Sequence, residues 1–176
     1  MEGTISLGIW DSNDKLVRVL LFQAKIDNFI IDENALKVNW DGKNDASEDL
    51  PAGRYRARGY LVGKLKIEDL GKATSAPEST SDHISVKLVM NPLVADIRSV
   101  MDVGVTFGTG GVFLKTMDNL PLARISESLT RTRVTISKAG ENAADLWQEE
   151  ASGVEHLRVS NIDKIMAFDC GFFELR

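Results

Sequence analysis

The sequence predicts an all-β protein built in two parts. Three observations lead there. Apolar and polar residues alternate in short segments along most of the chain, the period-two signature of half-buried strands. Turn formers punctuate those segments at close intervals, as in Asp11-Ser12-Asn13-Asp14, Asp41-Gly42, Gly108-Thr109-Gly110-Gly111 and Asp118-Asn119. Between Gly71 and Asp82 there is almost no bulky apolar residue. That composition marks residues 72–82 as a linker between domains at 1–71 and 83–176, with a surface loop of one larger domain as the alternative.

Composition narrows the partners. The chain has 176 residues, 43 % of them hydrophobic, enough to bury a core. Its 21 basic and 26 acidic residues leave a net charge of −5. An acidic balance argues against nucleic acid, since neutralising phosphates needs a basic surface. No apolar run approaches the ~20 residues of a membrane helix, so the chain is not expected to span a membrane. Cys170 is the only cysteine and cannot form an intramolecular disulfide. It reads as a structural thiol, because a catalytic thiolate needs a base and only His83 and His156 are available. Met1-Glu2-Gly3-Thr4 leads straight into a strand pattern without a signal peptide. A cytoplasmic protein and a mature segment behind an added methionine both fit that start.

The first strand is Thr4 to Trp10, with Ile5, Leu7 and Ile9 on one face. The Asp11–Asp14 turn returns the chain into Lys15–Phe22, giving a hairpin. Residues 23–34 read as a short strand or a connector between sheets. Ala35–Trp40 alternates again and turns Trp40 inward. Asp41-Gly42 then opens a loop rich in acids. Calcium chemistry fails there on spacing. Counting from Asp41, position 6 is Ala46 where a hand-type loop needs glycine, and position 12 is Ala52 where it needs glutamate. Pro51 and Gly53 bracket the next turn, and Arg54 begins a strand. On it Tyr55, Ala57, Gly59 and Leu61 share one face, and Arg54, Arg56, Arg58 and Tyr60 share the other. This basic ribbon with an aromatic end nominates Arg56, Arg58 and Tyr60 as ligand-binding residues. The alternative is a solvated strand face paired with acidic neighbours.

Val38-Asn39-Trp40-Asp41-Gly42, a polar loop, then Leu50-Pro51-Ala52-Gly53-Arg54-Tyr55 resembles the immunoglobulin-like module of the flagellar hook-capping protein. The Ser6–Asp11 hairpin fits the same pattern, so the resemblance spans about residues 3–63. Two departures are Ala46-Ser47 in place of a glycine and the missing glycine turn before Leu36. The resemblance implies an N-terminal immunoglobulin-like β-sandwich over 1–71, a spacer or interaction module of bacterial secreted or cell-surface proteins. It brings no catalytic residues.

The second half predicts a small antiparallel β domain with one or two short helices. His83–Met90 alternates as a strand. Asn91-Pro92 can cap a helix, and Leu93, Ile97 and Val100 have helical spacing. Gly108–Gly111 is a hairpin turn between Val103–Phe107 and Val112–Thr116, since no Gly-Lys-Ser/Thr or helix follows it. Leu122–Ser126 and Arg131–Ser137 continue the pattern. Ala143, Leu146, Trp147 and Ala151 fit a helix, while Leu146-Trp147-Gln148 fits a strand equally. Val154–Val159, Lys164–Phe168 and Phe172–Leu175 close the chain as strands. Similar layouts near Val103 and Val154 hint at propeller-like blades, although a propeller needs at least about four of them.

No catalytic motif or cofactor signature accompanies these strands. His83 and His156 lie far apart in sequence and in no metal-ligand spacing. Glu149 and Glu150 read as a solvated face. Three functions follow. The first is a noncatalytic module for adhesion, scaffolding or surface assembly, extracellular or at the cell surface, with a protein or glycan partner and a capacity to form homo-oligomers. The second is a carbohydrate-binding module using Trp10, Tyr60 or Trp147 as exposed stacking platforms. The third is a hydrolase with a pocket around His156 or two converging carboxylates.

Overall fold

The computed structural model describes residues 3–25, 30–32, 35–91, 98–127 and 130–176, with backbone only for 30–32 and 35–36. Every regular element among them is a strand. The first sheet holds β1 (Gly3–Trp10), β2 (Leu16–Lys25), β5 (Gly53–Gly63) and β14 (Ile165–Leu175), in the order β14-β5-β1-β2. The second is an up-and-down run of β7 (His83–Lys87), β8 (Val100–Gly108), β9 (Gly111–Thr116) and β10 (Pro121–Ser126). The third joins β11 (Arg133–Lys138), β12 (Ala143–Glu150) and β13 (Gly153–Ser160) to β6 (Lys66–Ala73). A two-stranded pair, β3 (Ile30–Asp32) and β4 (Ala35–Lys37), follows the first hairpin. Neighbours in all of these pair antiparallel.

One core draws on all three sheets. Trp10, Tyr60 and Val62 enter it from the first, Val103, Leu114 and Leu122 from the second, and Ile136, Leu146 and Val159 from the third. The sheets are also shared between the two halves of the sequence. β14 pairs with β5 from Ile165 opposite Val62 to Leu175 opposite Gly53. β6 pairs with β13, and it reaches Ala73, inside the expected linker. Ser81, also in that stretch, bridges to Ile136. The poverty of bulky residues at 72–82 thus belongs to the end of an exposed edge strand and a surface loop, which are polar for the same reason a linker is.

The turns follow their side chains. Asp11 Oδ1 accepts the Asn13 and Lys15 amides at 2.9 and 3.0 Å, closing the first hairpin. In the acidic loop, Asn44 Oδ1 accepts from the Ala46 and Glu48 amides. Asp45 accepts the Val19 amide at 3.0 Å and ties the loop to β2, while Lys43 lies 3.5 Å from Asp49 and closes the loop on itself.

Of the helix and the strand that residues 139–151 fitted equally, the strand forms: β12 runs through them, because Ala144, Leu146 and Gln148 alternate onto the core and Trp147 points to the other face. Of the other expected helix, residues 92–97 lie outside the described residues, while Val100 and Met101 open β8. The two strands expected at the C-terminus are one. A bulge between Asp169 and Gly171 absorbs the break, with Gly171 at φ 82° and its amide donating to Asp169 Oδ1 at 2.8 Å. Among the described residues no helix is long and apolar enough to cross a membrane.

Candidate binding surface of the first sheet

The nominated residues lie, as the alternation requires, on one face of β5. They meet different fates because that face changes character along the strand. Tyr60 is at the core end and only 7 % exposed, so its ring is no stacking platform. Its hydroxyl accepts from Arg98 Nη1 at 3.0 Å. Burial pushes the phenol pKa up.

Arg58 comes next toward the open end. Its guanidinium lies 4.3 Å from the centre of the Trp10 ring, 3.4 Å from Asp118 and 3.6 Å from Asp14. Asp118 also accepts the Trp10 indole N–H at 2.8 Å and a short bond from Thr116. The group fastens the first sheet to the turn between β9 and β10. Sequence separations of 108 and 60 residues put these partners beyond any local reading.

Arg56 is paired with Asp169 through its Nε at 2.9 Å and a second, shorter bond. Burial alone would raise the Asp169 pKa, but the Arg56 bonds, the Gly171 amide and the charges of Arg56 and Arg58 hold it below the ordinary carboxylate range. Register sets Phe172 of β14 directly opposite Arg56. Its ring is 52 % exposed, with Arg54 at 4.1 Å and Arg56 at 4.9 Å from the ring centre. The surface that remains open is therefore Arg54, Arg56 and Phe172. Phe172 was missed because no periodicity within β14 reveals its register with β5.

The other stacking candidates are occupied too. Trp10 is 1 % exposed. Trp147 is half-buried, its ring stacked on His156 at 3.8 Å and its indole N–H donating to Ser137. His156 Nε2 lies 3.1 Å from Asp145, which accepts two hydrogen bonds from Arg158 at 2.8 and 2.9 Å. Glu150 is not a solvated face: with Glu155 it flanks the buried Arg131. Among the described residues no group of three or more His, Cys, Asp or Glu is placed to hold a metal ion.

Burial would raise the Asp145 pKa, but the bonds from Arg158 and His156 prevail and lower it. The folded value then lies below the unfolded one, near 3.9. The carboxylate stabilises the fold above about pH 4, and that contribution disappears as pH falls through the folded value. An Asp145→Asn chain is expected to be less stable at neutral pH. Its urea midpoint should also fall less between neutral pH and about pH 3 than the parent's.

Comparison of the chain with protein-family models, with curated proteins and with solved structures found no match.

Proposed function

We propose that this chain is a noncatalytic β-sandwich module of a bacterial secreted or cell-surface protein, working in adhesion, scaffolding or surface assembly by binding protein, a second copy of itself included. The patch of Arg54, Phe172 and Arg56 carries the reading. Arginine and aromatic side chains are the types enriched at protein interfaces and at their energetic hot spots. Phe172 is exposed yet in contact with two guanidinium groups, so less side-chain freedom is lost on binding. Arg54 has no ion-pair partner among the described residues. A partner offering an apolar group beside a carboxylate complements the patch.

The secreted, immunoglobulin-like character rests on the resemblance of residues 3–63. Trp40 meeting Tyr55 edge-on at 5.3 Å, between the two turns that carry the motif, is consistent with it. A glycan platform has less support, since Trp10 and Tyr60 are buried and one face of Trp147 is covered by His156.

A glycan array combined with sedimentation of the purified chain tests the proposal. The expected result is no glycan retention, together with self-association that Phe172→Ala and Arg54→Ala each weaken by about thirtyfold or more, the range of an interface hot spot. Glycan retention that survives both substitutions would sink it.

A further inference from the structure

The opposite face of the first sheet holds a second apolar cluster, separate from the common core. Ile5, Leu7 and Ile9 project into it from β1 and Tyr55 and Ala57 from β5, and all five are buried. Among the described residues, the layer above them is not filled. A cavity of about 650 Å³ lies over β1 and Ala57, walled by Trp40, Phe168 and Phe173. Protein interiors are close-packed and leave few voids larger than a water molecule. A dry apolar cavity of roughly 150 Å³ already takes up benzene. Aliphatic and aromatic walls around a volume of this order are what small-molecule sites present.

Two polar groups reach the space. Asn39 is exposed at the rim, and its amide has no hydrogen-bond partner among the described residues. Cys170 is the other polar residue in the lining. No Lys, Arg, His, Asp or Glu is among the described lining residues. A charged group entering would give up its hydration without meeting a counter-charge. Partial burial and then the neighbouring Asp169 push the thiol pKa up.

The geometry points to a binding site on this face for a neutral, hydrocarbon-bodied small molecule carrying one hydrogen-bonding group, which Asn39 meets at the rim. The site is distinct from the Arg54–Phe172 patch, which lies on the other side of the same sheet.

Because Cys170 is the only cysteine, its alkylation by N-ethylmaleimide reports occupancy. 1-Decanol and decanoate offer the same hydrocarbon with a neutral or a charged head. Decanol is expected to slow alkylation several-fold and shift the indole emission, and decanoate to do neither. Ala57→Leu fills the cavity floor and should abolish the protection. Asn39→Leu, at the exposed rim, should weaken it and keeps the test open if Ala57→Leu fails to fold. The proposal is overturned if decanol gives the folded parent no protection, or if decanoate protects equally. Protection that survives Ala57→Leu in a chain with a native near-ultraviolet spectrum, or that is unchanged in Asn39→Leu, overturns it as well.

Discussion

A Trp10→Ala chain is expected to lose about 3–5 kcal/mol of folding stability, the cost of truncating a buried aromatic residue. Trp10 is the largest of the fully buried side chains and stands where the first sheet meets the second. Three effects combine there. The ring's apolar surface is removed from water. Its indole N–H bond to Asp118 satisfies a group that burial would otherwise leave unpaired. The Arg58 guanidinium lies over the ring and meets Asp118 and Asp14 at its edge. Truncation removes the first two and leaves Arg58 beside a void. Urea denaturation, read at constant m-value, gives the number. A loss under about 1 kcal/mol, typical of a surface site, would show that Trp10 is not the anchor this geometry makes it.

Gly111→Ala should cost about 3 kcal/mol, from backbone strain and overpacking that each contribute on the order of 1–3 kcal/mol. Gly111 has φ 129°, a conformation L residues rarely adopt. A Cβ there would lie 1.9 Å from the carbonyl oxygen of Ser126, the last residue of β10. That oxygen is backbone in a paired strand and cannot swing aside as a side chain would. Gly108, at the other end of the same turn, is the control. A Cβ on it meets nothing within 4 Å, so Gly108→Ala is expected to stay within about 0.5 kcal/mol of the parent. Equal melting of the two variants would contradict the close approach of β10 to the turn.

How much of this was legible follows from the range of each interaction. Strand positions were readable because alternation is local: Ile5, Leu7 and Ile9 do share a face, and so do Tyr55 and Ala57. The Asp11 turn and the glycine hairpin were readable because their bonds close within a few residues. Trp10 was not. Alternation set it opposite Ile9, which on a sheet with one wet face means solvent, and so it was a candidate platform. Yet β1 lies inside its sheet, with apolar layers on both faces, so both sets of its side chains are buried. The choice between helix and strand at 139–151 was open for a related reason. Four apolar residues happened to fit a helical stripe, but pairing with β11 and β13 decides the backbone.

The candidate site divides the same way. That Arg54, Arg56, Arg58 and Tyr60 share a face was determined by the sequence alone, since it needs only the two-residue period of a strand. Which of them remains open was decided by the tertiary structure. β14 comes from the far end of the chain to lie beside β5, setting Phe172 against Arg56 and Asp169 within its reach. The turn carrying Asp118 engages Arg58, and the common core closes over Tyr60. Local periodicity says which way a side chain points. What it meets depends on partners remote in sequence, and those only the folded chain brings into contact.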